Sequence, residues 1–152
     1  MKIVFTPFPT LLFYTDNLPQ DVGGRTNACV VRIRQKYRDN GDVGIHQHEY
    51  THVQQFYAWL IACTLIATMV SLFFSGFPAW LIVSYGFALG LIPDALLYRL
   101  VDRYRLWAEV HAYRVQASHY PPGTDVTWMA TVISTKYGLT ITPEAAAHAL
   151  WG

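Results

Sequence analysis

Between Glu49 and Asp94 the chain carries no Lys, Arg, Asp or Glu, and no other feature restricts its fold as much. Ser75-Gly76-Phe77-Pro78 is a helix breaker that divides this stretch in two. Phe56 to Gly76 is a run of 21 uncharged residues and Phe77 to Pro93 a run of 17. A helix needs roughly 20 to cross a bilayer. Neither run has a polar face, and a chain of 152 residues offers too little other protein to cover both all round. Trp59, Trp80 and Tyr98 stand near the ends of the runs, where amphipathic aromatics anchor at a membrane interface. The expectation is a transmembrane helical hairpin. All eleven Lys and Arg lie outside it, so the positive-inside bias places both termini in the cytoplasm.

Composition agrees: 53% of residues are hydrophobic and 14% charged, with a net charge of +1. No basic run points to nucleic acid. Cys29 and Cys63 lie in unlike settings and read as small apolar residues, not as a disulfide or as metal ligands. The N-terminus lacks a basic-then-apolar signal, so cleavage and export are not expected.

Immediately before the first apolar run stands His48-Glu49-Tyr50-Thr51-His52. On a helix the two histidines, four residues apart, share a face and can reach one metal ion. Glu49 lies beside that face and suits the general-base role of zinc peptidases. Asp42 and Gly44 can start the helix, and Ile45, Tyr50 or Val53, and Phe56 give it an apolar stripe. A catalytic zinc takes three protein ligands, so one more is needed. A membrane hairpin returns the chain to its starting side, which brings Glu109 back toward His52. The legs from Gly76 differ by about 10 Å at 1.5 Å per residue, and Pro93 is the evident place to absorb that.

The alternatives are plain. Glu109 can instead be a surface carboxylate paired with Arg105 or Arg114. His111 is a rival ligand, about 160° around its helix from Glu109 at 100° per residue. Asp94 reads as an ion-pair partner of Arg99. His46 reads as a helix-start histidine, and His119 and His148 as surface groups.

Upstream, Lys2–Thr6, Leu11–Thr15 and Ala28–Arg34 read as strands of a small antiparallel sheet, joined by turn chemistry at 16–19 and 22–24. In Ala28–Arg34 the residues Val30, Arg32 and Arg34 face solvent and Cys29, Val31 and Ile33 face inward. Val30, Val31 and Arg32 are the candidate edge against which a peptide substrate adds as a strand. Lys36–Gly41 is polar and turn-like. Ala95–Ser118 reads as one helix ending before Pro121-Pro122. Thr124–Tyr137 is amphipathic and closed by Gly138, and Thr142-Pro143-Glu144 opens a last short helix. The fold class is α+β, mostly α, in a single domain 1–152: a β-rich segment 1–41, the motif helix, hairpin and returning helix 42–118, and C-terminal helices 119–152.

His48-Glu49-x-x-His52, two apolar spans and a late glutamate resemble the HtpX and Ste24 class of integral-membrane zinc metallopeptidases, which are gluzincin-type zincins. The late E-x-x-A-D of that class is matched by Glu109 and Ala112, with Tyr113 at the aspartate position. The wording around His52 also resembles small zincin-like proteins of bacterial and phage genomes. The resemblance implies a membrane-anchored zinc metalloendopeptidase in which His48, His52 and Glu109 hold Zn2+ and Glu49 is catalytic. It implies a peptide or protein substrate and a bacterial inner membrane, or phage-encoded, location with the active site on the cytoplasmic side. Tyr113 and His111 are candidate transition-state stabilisers. The alternative is a non-catalytic membrane protein, structural or lysis-associated, whose metal motif is vestigial or structural.

Overall fold

The computed structural model describes residues 1–73 and 78–152. Of the breaker expected at Ser75-Gly76-Phe77-Pro78, only Pro78 is among the described residues. The molecule is mostly helical, with a small four-stranded sheet at its N-terminal end.

Strands β1 (Lys2–Phe5), β2 (Pro9–Tyr14), β3 (Gly24–Asn27) and β4 (Val30–Ile33) stand in the order β1-β2-β4-β3. The sheet is mixed, not antiparallel throughout: β2 and β4 run parallel, with Leu12 opposite Val31. Two antiparallel hairpins are joined side by side, and the long 15–23 connection carries the chain from one to the other. β3 is a strand where the glycines at 23 and 24 suggest only a turn. Its pairing to β4 is closed by the two-residue turn Ala28-Cys29, with Ala28 at φ 54°. The alternation expected for β4 holds: Val31 and Ile33 are buried and Arg32 is exposed. Arg34 is not simply solvated, since its guanidinium donates to the carbonyls of Val22 and Leu18 at 2.7 and 2.8 Å and shapes that connection.

After a short helix α1 (Gln35–Asp39), in the stretch expected to be a turn, α2 runs from Val43 to Ser71. The Asp42 carboxylate caps it, accepting from the Ile45 amide at 3.1 Å. Its 29 residues extend about 43 Å at 1.5 Å each. The first half is covered: Tyr50 and Val53 pack with Leu12, Val31 and Ile33 of the sheet. Gln54 and Tyr57 moor it by donating to the carbonyls of Thr6 and Pro9, each at 3.0 Å. Beyond Leu60 the helix sheds its cover, and Ile61, Leu65, Ile66 and Met69 are exposed.

Helix α3 (Ala79–Gly90) packs back on this bare half. A Cβ at Gly86 would come within 2.1 Å of the Ala67 Cβ, and one at Gly90 within 2.9 Å of the Leu60 Cα. The two glycines let the backbones approach as small residues do between membrane helices. The outer face of α3 exposes Trp80, Tyr85, Phe87 and Leu89. Val43–Ser71 and Ala79–Leu100 are both long and apolar enough to cross a membrane, and only 22% and 11% of their most apolar windows are buried.

The returning helix is broken. α4 (Pro93–Leu100) and α5 (Asp102–Ser118) are separated by Val101, whose backbone is extended at φ −119° and ψ 101°. Leu91 and Ile92, ahead of Pro93, keep helical backbone, so the sharp break falls at Val101 and not at Pro93. α6 (Trp128–Lys136) and α7 (Pro143–Trp151) close over α5. Tyr113 packs with Met129, Ala130, Ile133, Leu139, Ala146 and Leu150 in a second core. Gly138 follows α6 at φ +63°, and Thr142 caps α7 by accepting from the Ala145 amide at 3.2 Å. Helices α2 and α5 thus lie face to face between two hydrophobic cores.

Candidate metal centre

His48 and His52 emerge one turn apart from the covered half of α2, and Glu109 meets them from α5. The two Nε2 atoms are 3.3 Å apart. Glu109 Oε2 lies 3.6 Å from His48 Nε2, and Oε1 lies 3.6 Å from His52 Nε2. Ligands in a tetrahedron with bonds of about 2.0–2.1 Å sit roughly 3.4 Å from one another. The two imidazole nitrogens stand at that separation, a different Glu109 oxygen lies 3.6 Å from each, and one donor atom from each of the three side chains lies within 4.8 Å of the others, so the group can hold a metal ion. Glu109 is 1% exposed, so it is no surface carboxylate. The arginines that could have claimed it are elsewhere: Arg105 pairs with Asp102, and Arg114 donates to the Ala149 and Leu150 carbonyls.

Donor chemistry supports the same site. Gln55 donates from its amide nitrogen to the Ala108 carbonyl at 3.2 Å, which turns its oxygen toward His52. His52 Nδ1 donates to that oxygen at 2.9 Å. Its proton is therefore on Nδ1, and the Nε2 lone pair faces Glu109. Metal-binding histidines are commonly fixed by such an outer hydrogen bond. One glutamine thus orients a histidine on α2 and grips α5 one residue before Glu109. Glu109 Oε2 and His48 Nδ1 are buried without a hydrogen-bond partner. An unpaired buried carboxylate oxygen is costly, and a bound cation would relieve it.

Glu49 flanks the cluster. Its Oε2 accepts from Thr26 Oγ1 on β3 at 2.6 Å. Gly24, also on β3, makes room for it, since a Cβ there would lie 2.4 Å from Glu49 Oε1. The motif half of α2, residues 43–55, is covered by the sheet and α5 and precedes the bare apolar segment. There, burial pushes the Glu49 carboxyl up to about 7, with His52 and Thr26 opposing and Glu109 adding to the rise. Burial lowers His48 well below the ordinary imidazole range, and His52 lowers it further. For His52 burial also acts downward, but Glu109, Glu49, the Gln55 hydrogen bond and Asp94 act upward, and the net direction is up.

Other candidates fall outside. His111 is exposed, with its ring 5.9 Å from that of Trp107, because it lies on the far side of α5. It is neither ligand nor stabiliser in this geometry. Tyr113 places its ring edge-on to His48 at 4.4 Å between centroids, while its hydroxyl bonds that of Tyr137 at 3.0 Å. Asp94 accepts from Tyr104 at 2.6 Å and does not pair with Arg99. His46 does sit at the helix start, where Nδ1 donates to the Asp42 carbonyl at 2.6 Å and Nε2 accepts from Tyr14 at 3.0 Å. Val30, Val31 and Arg32 cannot form a free edge, because β4 is paired on both sides, to β2 and to β3. The edge beside Glu49 is β3.

Four residues of the site escape sequence reading: Gly24, Thr26, Gln55 and Tyr98. Tyr98, placed by its position among interfacial aromatics, donates its hydroxyl to Glu109 Oε1. Gln55 carried the best signal, a polar residue three after His52 at the threshold of an apolar run. No protein-family model, curated protein or solved structure matches this chain.

Proposed function

We propose that the protein is a membrane-anchored, zinc-dependent metallopeptidase. One observation carries the reading: His48, His52 and Glu109 converge at ligand spacing with the Glu49 carboxylate beside them. Two imidazoles and one carboxylate form a zinc donor set of the catalytic kind, which leaves a fourth position for water or substrate. Bound there, zinc supplies Lewis acidity that activates a water and polarises a peptide carbonyl. Glu49 takes the proton from that water and returns it to the departing amine. Thr26 and Gly24 hold Glu49 against β3, so an extended peptide added to the β3 edge would run past it.

The hairpin anchors the enzyme, with the centre just outside the bilayer on the side that bears the basic residues, the cytoplasmic side. The centre is closed to solvent, with the His52 side chain the most exposed of the three at 16%. A peptide reaches it only when a cover moves. α4 is that cover: it buries no residue of its own and ends at the extended backbone of Val101.

That closure also favours a second reading, a non-catalytic membrane protein whose metal ion is structural, since structural sites are closed. Glu49→Gln separates the two. The variant keeps the shape of the side chain and the three metal donors. The peptidase reading predicts that casein hydrolysis by the zinc-loaded protein disappears while zinc stays bound. Undiminished hydrolysis would contradict the role of Glu49, and absence of hydrolysis in the parent protein would favour the structural reading.

A further inference from the structure

Tyr98 lies outside the motif and outside both ligand-bearing helices, yet its hydroxyl reaches Glu109 Oε1. Its ring stands edge-on to His52, 6.2 Å between centroids. The two oxygens of Glu109 are thereby made unequal. Each oxygen lies 3.6 Å from one imidazole nitrogen, Oε1 from His52 Nε2 and Oε2 from His48 Nε2, but only Oε1 has a hydrogen-bond donor, and Oε2 is buried without a partner. A carboxylate with both oxygens free can chelate a cation, taking two coordination positions with one side chain. A hydrogen bond to one oxygen draws electron density from it and fixes the carboxylate plane, which favours binding through the other.

We propose that Tyr98 is a positioning residue that makes Glu109 a one-oxygen ligand through Oε2 and so keeps a coordination position open. The assignment rests on the metal reading above. The placement of α4 supports it independently. This helix contributes no buried residue to either core. It is fixed at one end by Asp94 accepting from Tyr104, and at the other the Tyr98 hydroxyl meets the centre. A segment with so little packing of its own is held where one hydroxyl touches one ligand oxygen.

The test replaces zinc by Co2+ in the detergent-solubilised full chain and compares the parent with Tyr98→Phe and Tyr113→Phe. Four-coordinate cobalt absorbs visible light more strongly than five-coordinate cobalt, so the spectrum reads the coordination number directly. Tyr98→Phe keeps the ring against His52 and deletes only the hydroxyl. Its visible band is expected to weaken as Oε1 joins the metal, and zinc affinity by chelator competition to fall about 10–100-fold. Tyr113→Phe also deletes a hydroxyl near the centre, one bonded to Tyr137, and is expected to keep the parent spectrum. An unaltered cobalt spectrum in Tyr98→Phe, whatever its affinity, would overturn the assignment. So would an equal weakening in Tyr113→Phe, which would mark general loosening. A parent protein that binds neither cobalt nor zinc would overturn the metal reading itself, and this assignment with it.

Discussion

Glu49 shows how one carboxylate acquires its character from its neighbours. Burial raises it from its ordinary value near 4.5 to about 7, while Thr26 holds it by a 2.6 Å hydrogen bond. A carboxyl whose folded value is raised contributes stability that is fully present below about 4.5 and is lost as pH rises through about 7. In the metal-free protein the parent should therefore lose stability relative to Glu49→Gln across that window. Denaturant unfolding of both at pH 4, 5, 6, 7 and 8 measures it, and a stability difference that does not change with pH would contradict the burial argument. Gly24 gives a sharper test. Alanine there would place a methyl 2.4 Å from Glu49 Oε1, so Gly24→Ala should displace the carboxylate and depress peptide hydrolysis at least tenfold, about 1.4 kcal/mol in the barrier, with zinc retained. Hydrolysis at the parent rate would show that Glu49 needs no such placement. The motif residues were legible because helical spacing alone brings His48 and His52 together. Thr26 and Gly24 were not, because only strand pairing to β4 brings them to Glu49.

Among the elements, α2 combines two environments in one uninterrupted helix. Its first half is buried by the sheet and α5; its second half packs on α3, is tied to α5 by Trp59 donating to the Tyr104 hydroxyl at 2.8 Å, and leaves Leu65, Ile66 and Met69 exposed. Gly86 and Gly90 hold that contact. Gly86→Leu should force the hairpin apart and cost about 1–3 kcal/mol, as overpacking does. Thermal unfolding in detergent micelles would register the loss, and an unchanged midpoint would mean that the helices do not pack as described. The hairpin was readable from composition, since an uncharged run of this length admits few structures. The mixed sheet was not, because the parallel pairing of β2 with β4 depends on the long 15–23 connection and not on local pattern. The break at Val101 carries no glycine or proline to announce it. What marks it is only the Asp102 that opens α5, a carboxylate in the first turn where a helix N-terminus favours one.

At the scale of the whole molecule, a group that could hold a metal ion lies between two cores, and a bare apolar hairpin continues beyond it. The exposed faces of that hairpin would be an aggregation hazard in water, which a lipid surround would remove. The protein should stay with membranes through alkaline carbonate extraction. Release into the soluble fraction as a monodisperse species would contradict the anchor. The order of motif, apolar spans and Glu109 along the chain made the centre foreseeable, because a hairpin must return. The rotation that turns Glu109 inward and His111 outward is set by the packing of Tyr113 into the second core, which no local pattern displays. Metal content tests the central claim most directly. Zinc bound per chain should be close to one in the parent and in His111→Ala, and should be lost in Glu109→Ala. Zinc retained by Glu109→Ala, or lost from His111→Ala, would contradict it.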